Sequence, residues 1–430
     1  MSLDTQTTTG GLEWVGLWLE PLDVLFFRDG RPFSAASRVR SGQPMPQTLA
    51  GAIWTALLRQ AGCHFPTLIS VHRSHQKQQA SRGPEDPKSP QAFGVRNDLA
   101  LREAIRQAGG PEWIFQVQVR GPWLARQDRT RSSASPGTVP DTLTEFRYPE
   151  LVRSGKSQAL EVLVPVPAVL YTPKGKKEGS GDRELLYANP LPTSQTPPGW
   201  KPPIEGLRPV WIKTREDMEL VRGYLTLEGL WRILQGQVPT KDQLVPEEKL
   251  FDYDHRTGIQ IEMDRLTSEE SQIYAISLLA LQKGVGFYAE VGLPPEGATM
   301  LRQIPCLQWG GEGRNVLLEQ VQQLCQWPKG EPTNGLKPFL VLTTPGLFDR
   351  GWCPGVLADH LAAAAVPGEV AVSGWDLARG GPKPARFAAA PGSVYFLHQL
   401  PENLSDALSD QEEDRQQGWG CYVQGVWTDA

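Results

Sequence analysis

Residues 14–19 read WVGLWL. Val15, Leu17 and Leu19 alternate with Trp14, Gly16 and Trp18, the two-residue period of a strand. The run continues as LEPLDVLFFRDGRPF (19–33), where Asp29-Gly30 marks a turn flanked by Arg28 and Arg31. A helix is expected next. TLAGAIWTALLRQA (48–61) carries Leu49, Ala52, Ile53, Ala56 and Leu57 at helical spacing, and Gly62 supplies a stop. WIFQVQV (113–119) then reads as a second strand.

The second half repeats the scheme. GIQIEMD (258–264) is strand-like. TSEESQIYAISLLALQKG (267–284) reads as a helix, with Thr267 and Glu270 as a capping box and Gly284 as its end. VGFYAEVG follows as a strand. RNVLLEQVQQLCQW (314–327) reads as a helix, and KPFLVLTT (337–344), VYFL (394–397) and CYVQGVW (421–427) as strands. Strands and single helices alternate without the short, regular spacing of a doubly wound sheet. An α+β fold is expected, with two ferredoxin-like (RRM-like) domains, antiparallel sheets and long loop insertions.

The insertions are polar. Residues 72–92 and 128–144 have no periodicity and read as long loops. Residues 172–206 hold seven prolines and the run GKKEGSG, which predicts a linker. It separates an expected N-terminal domain, 1–205, from a C-terminal one, 206–430. Residues 402–414, with six acids and no base, read as a solvated segment.

Composition narrows the function classes. In 430 residues, 40% are hydrophobic and 21% charged, as in soluble globular proteins. Neither a membrane span nor a signal peptide is legible, so a cytoplasmic location is expected. Five scattered cysteines without a CxxC pair argue against a disulfide scaffold or a thiolate zinc site. The net charge is −5, yet residues 1–160 hold 19 Lys/Arg against 14 Asp/Glu. That local excess suits a patch for a polyanion. Fourteen tryptophans serve core packing, with a few available for stacking or interfaces.

Familiar catalytic motifs are missing. There is no Walker A loop, no HExxH and no GxSxG elbow. GVGFYA (284–289) fits G-x-G-x-x-A, but it sits between a helix and a strand in the wrong order for a dinucleotide. Asp252, Asp254 and Asp264 lack the spacing of a calcium loop. No catalytic residue, metal site or cofactor is expected. GGEGRN (310–315) reads either as a plain turn or as an anion site, with Arg314 at the start of the helix expected there. SGWDLARGGPKPARFAAAPGSVYF (373–396) sets Arg379, Lys383 and Arg386 among Gly374, Gly380 and Gly381. Cations and bare N–H groups suit phosphate, and Trp375 offers a stacking plane. A surface hairpin turn is the plainer reading.

Five segments in order carry a resemblance: PLDVLFFRDGRPF (21–33), QPMPQTLAGAIWTALL (43–58), HRTGIQI (255–261), LQWGGEGR (307–314) and GWDLARGGPKPARFAAAPGSVYFL (374–397). Together they resemble the third subunit of the Cmr effector complex of type III-B CRISPR–Cas systems, a branch of the RAMP superfamily. The resemblance implies two ferredoxin-like domains and a non-catalytic role in antiviral defence. It implies a grip on the 5′ handle of the crRNA at the foot of the complex. The implied partners are the large subunit with cyclase palm domains and the RNA-cleaving backbone RAMP subunit. The matched segments contain Arg28, Arg31, Thr48, Gly51, Arg256, Arg314, Gly374, Trp375, Arg379, Lys383 and Arg386, with Arg38 in the loop after the first. These are the expected RNA contacts, although Arg28 and Arg256 could equally pair with carboxylates. A rival reading is a metal-independent RAMP endoribonuclease that processes crRNA precursor, with His64 or His72 as general base. A third is a pure protein-interaction subunit.

Overall fold

The computed structural model describes residues 8–9, 11–28, 38–81, 99–128, 147–153, 156–175, 184–262, 267–331, 335–376, 381–382 and 385–429. Asp29-Gly30, Arg31, Arg379, Lys383 and nearly all of insert 128–144 lie outside them. The first strand, β1 (Leu12–Pro21), follows the expected alternation. Val15, Leu17 and Leu19 enter one core, whereas Trp18 enters another on the opposite face. The other strands used below are β2 (Arg38–Arg40), β3 (Gln118–Asp128), β4 (Glu150–Arg153), β5 (Lys156–Val162), β6 (Phe251–Glu262), β7 (Thr267–Leu281) and β8 (Val285–Leu293). They continue with β9 (Cys306–Gln308), β10 (Asn315–Gln320), β11 (Leu336–Leu342), β12 (Leu361–Ala365), β13 (Glu369–Val372), β14 (Arg386–Ala389), β15 (Val394–Leu397) and β16 (Tyr422–Thr428). The helices are α1 (Pro46–Gln60), α2 (Phe65–Ser81), α3 (Leu99–Gln107), α4 (Leu227–Leu234), α5 (Pro295–Leu301) and α6 (Glu412–Gln416).

Helices and antiparallel sheets mix as expected. One sheet runs β9-β10-β1-β8-β3-β5-β4, and a second runs β12-β15-β11-β16. In the first, α1 lies between β1 and β3 in the chain and α5 between β8 and β10. Its strands therefore come from both sides of residue 205, so the sheet does not follow the expected 1–205 and 206–430 halves.

The layers follow from side-chain parity. Leu17, Leu19, Phe287, Ala289, Val316 and Leu318 share a core with Leu49, Ile53 and Leu57 of α1 and with Leu301 of α5. On the other face, Trp18, Trp123 and Tyr288 share a core with Phe339 and Val341 of β11, Phe396 of β15 and Leu230 and Ile233 of α4. The far face of the second sheet packs Leu340, Leu342, Tyr395 and Leu397 against Phe348 and Leu357.

Three expectations fail for identifiable reasons. Residues 267–281 form a strand, not a helix, and pair with β6 from Phe251↔Leu281 to Glu262↔Thr267. Ile-Tyr-Ala-Ile-Ser-Leu-Leu fits both periods, and a long ladder, continuous from Phe251↔Leu281 to Ile259↔Ile273, outweighs a local capping signal. Residues 315–320 are likewise a strand, pairing with β1 from Val316↔Pro21 to Gln320↔Leu17. Val316 is buried between exposed Asn315 and Leu317, as a strand requires. The stretch 172–206 is not a free linker. Leu170–Pro173 pairs with Met218–Leu220 and Leu186–Tyr187, Asn189–Pro190 pairs with Val210–Trp211, and Ala188 is buried. Smaller differences accompany these. Helix α2 runs through Ser81, so insert 72–92 begins as a helix. Within 402–414, Asp414 and the Ala407–Ser409 segment are buried.

A polar group sits between the two sheets. Glu290 is buried, accepts a hydrogen bond from Tyr288 Oη at 2.9 Å and lies 3.5 Å from Arg120. Arg120 also reaches Asp406 at 2.7 Å and stacks 3.9 Å over Trp14. Burial pushes the Glu290 carboxyl up, opposed by Arg120 and by the Tyr288 hydroxyl. Tyr288 Oη in turn accepts the Cys325 amide at 2.8 Å. Gly16 lets residues 321–325 cross here, because a Cβ would overlap Val321 Cγ2 and sit 3.3 Å from Leu324 Cδ2.

Candidate nucleic-acid interface

The segments with the most informative residues meet around the chain that leaves β1. Leu25 exchanges backbone hydrogen bonds with Leu279 of β7, both at 2.8 Å. Phe26 O accepts the Gly311 amide at 2.7 Å, and Phe27 packs edge-on to Trp309 at 5.1 Å. Gly310 has φ +91°, and a Cβ there would come within 2.8 Å of Phe26 O. Only glycine fits that turn against the strand. Phe27 N donates to Ser41 Oγ at 2.9 Å, and Ser41 N donates to Ser277 O at 2.8 Å. Five residues after Ser41, Pro46 opens α1, where proline's fixed φ suits the first turn. Gln47 Nε2 then donates to Ser373 O at 3.0 Å, which ties the start of α1 to the glycine-rich segment.

Along this surface, Thr48 Oγ1 donates to Met45 O at 2.7 Å inside the first helical turn. A Cβ on Gly51 would meet nothing within 4 Å, so the helix face there is open. Arg28 is exposed just after Phe27, and Gly374 is half-buried beside Ser373. The backbone registers Arg38 opposite Ala275 and Trp375 opposite Pro382.

Three expected phosphate ligands have carboxylate partners. Arg386 forms a two-point pair with Asp414, Nη1 to Oδ1 at 2.8 Å and Nη2 to Oδ2 at 2.6 Å. That contact raises the Arg386 pKa further and fixes β14 to α6. Arg314 donates to Asp23 at 2.6 Å, and Arg256 donates to Asp254 of its own strand at 2.8 Å. Residues 310–315 read either as a plain turn or as an anion site at a helix start, and that helix start does not form. The turn leads into strand β10, so no helix dipole points at it. Instead Trp309 N donates to Arg314 O at 2.8 Å and closes the turn on itself.

Sequence reading missed Arg40, His255, Gln47 and Ser373. Arg40 is exposed, and its guanidinium lies 3.8 Å over the Tyr253 ring. His255 Nδ1 and Ser277 Oγ are 2.7 Å apart. No spacing within one segment could reveal the Arg40–Tyr253 and His255–Ser277 pairs, since each joins different strands of the β6-β7-β2 ribbon. Of the histidines considered for catalysis, His64 is exposed and His72 is not. His72 is buried, and His64 Nδ1 is 2.8 Å from Thr67 Oγ1. Among the described residues no group of three or more His, Cys, Asp or Glu is arranged to hold a metal, and no helix is long and apolar enough to cross a membrane.

A family model described as CRISPR-associated protein (Cas_Cmr3) matches residues 17–427. No curated protein matches the sequence. Among solved structures, the chain is similar to one in a cryo-EM structure of the type III-B Cmr-beta complex bound to cognate target RNA and AMPPnP. That match has 14% identity, covers 89% of this chain and 86% of the other, and has a TM-score of 0.43. A second similarity is to a chain in a crystal structure of the Csm3-Csm4 subcomplex of the type III-A interference complex. It has 11% identity, covers 91% of this chain and all of the other, with a TM-score of 0.37.

Proposed function

This chain belongs to the CRISPR-associated protein (Cas_Cmr3) family, as a subunit of a type III CRISPR effector complex, and on that premise we propose that it is a non-catalytic subunit that grips the 5′ handle of the guide RNA. The carrying observation is the convergence just described. The start of α1, the base of the β6-β7 hairpin, the 307–314 turn and the head of the glycine-rich segment share one surface, joined by Ser41 and Gln47. Splayed single-stranded RNA is recognised by such loop-and-edge surfaces beside an antiparallel sheet.

The sheet orders support a pair of ferredoxin-like units. In the first, β10-β1-β8-β3 with α1 and α5 in the crossovers is the order of a split βαβ fold. In the second, β12-β15-β11-β16 repeats that strand order, with a 3-10 turn at Gly355–His360 and the short α6 where long helices would be. The handle contacts we assign are Arg28, Arg31, Arg38, Thr48, Gly51, Gly374, Trp375, Arg379 and Lys383. Arg256, Arg314 and Arg386 brace the surface through their carboxylate partners. Docking of the large palm-domain subunit, contact with the RNA-cleaving backbone subunit and a cytoplasmic location belong to the same reading.

The test is the salt dependence of guide binding. If about five phosphates are neutralised, log K falls with log salt at a slope of about −3.5, from roughly −0.7 per phosphate on a single strand. Binding of handle RNA that ignores salt overturns the reading.

A further inference from the structure

Resting on that reading, we infer a phosphate-binding row across the β2-β7-β6 ribbon, made by Arg40, Ser277 and His255. The register sets Arg40 opposite Ser277 and Ser277 opposite His255. Residues opposite one another share a face, so the three form one line across three strands. Strand spacing puts the outer Cα atoms about 10 Å apart, from roughly 4.8 Å per step. Two long side chains at that separation can meet one phosphate or two neighbours.

Each member is already oriented. The Arg40 guanidinium rests 3.8 Å over Tyr253, a contact that uses its face and not its N–H donors. His255 is tied through Nδ1 to Ser277 Oγ at 2.7 Å, leaving Nε2 open. Both are exposed. The acids of β6 next to His255 lie elsewhere, since Asp252 and Asp254 alternate onto the opposite face and Asp254 holds Arg256. Among the described residues, Arg40 has no carboxylate partner. This contrasts with Arg256, Arg314 and Arg386.

The side of the ribbon also fits. Leu279 and Tyr253 share the face of the row and pack into the core that α1 covers. The row therefore emerges on the α1 side, and the chain runs from Arg40 through Ser41 and Gly42 straight to the helix start.

The experiment measures anisotropy of a fluorescein-labelled guide RNA, with its 5′ handle, on the full chain at several salt concentrations. Arg40→Ala should weaken binding about tenfold at low salt and make the log–log slope shallower by about 0.7, one phosphate lost. Arg40→Lys should keep the slope. His255→Ala, a change at an exposed site, should weaken binding in the same direction. Unchanged affinity and slope in both alanine variants, beside a wild-type slope near −3.5, overturn the row and leave the handle reading intact. A wild-type chain that binds no guide overturns both. Variants that lose a partner subunit yet keep RNA affinity assign the row to a protein contact and overturn it as well.

Discussion

The Arg386–Asp414 pair gives a direct test of brace against ligand. The Asp414 side chain is 8% exposed and that of Arg386 43%. Arg386→Ala therefore leaves a buried carboxylate without its two charged donors. Breaking a buried pair from one side costs about 3–5 kcal/mol. Nearly half of the Arg386 side chain is exposed, so solvent screens the pair and lowers this to about 2–3 kcal/mol. Asp414→Ala is gentler, because the guanidinium can turn into solvent; about 1 kcal/mol is expected from the lost hydrogen bonds. The double variant should resemble Asp414→Ala alone, since no charge is left buried. Arg386→Lys should recover little, as an ammonium cannot reproduce the planar fork. Urea unfolding of the four proteins reads these differences, and for a cooperative unit of ~200 residues the Arg386→Ala loss corresponds to about 5–10 °C in Tm. The reasoning is refuted if Arg386→Ala leaves stability within ~0.5 kcal/mol of wild type while guide affinity collapses. Arg386 would then be a ligand.

Other outcomes follow from the same geometry. Gly16→Ala should destabilise by about 1–3 kcal/mol, because the new methyl collides with Val321 where the chain crosses β1; a wild-type urea midpoint would contradict this. Gly310→Ala carries both a φ of +91° and a clash with Phe26 O. It should lower stability and weaken guide binding together, and a loss of only one would separate the turn from the surface. Glu290 gives a pH dependence. Its folded pKa is raised above the ordinary 4.5, so its favourable contribution is present below that pH and fades as pH rises through the folded value. Glu290→Gln should flatten the fall in Tm over that window, and an unchanged Tm profile would speak against a buried ionising carboxyl.

Much of the fold was legible where one period was unambiguous. The Val15–Leu19 alternation and the α1 spacing both appear as read: odd and even positions of β1 enter opposite cores, and α1 buries Leu49, Ile53 and Leu57 along one face. Residues 267–281 and 315–320 failed because their apolar positions satisfy two periods, and only distant partners choose between them. The same limit applies to the surface. Arg314 and Arg386 read as phosphate ligands because Asp23 and Asp414 lie far from them in the chain, whereas a carboxylate partner is among the readings of Arg256, and Asp254 supplies it. Arg40 went unnoticed because its value comes from Tyr253, more than 200 residues away in the chain.

Strand β8 lies between β1 and β3, yet it follows β3 by about 160 residues. A ribosome thus releases the two flanking strands long before the piece that joins them. At ~5–20 residues per second the gap lasts roughly 8–30 s. During that time the apolar rows of β1 and β3 have no neighbour on their inner edges. Nascent chains halted before residue 285 should therefore depend on chaperones, and shortened versions ending near residue 205 should aggregate rather than yield an autonomous module.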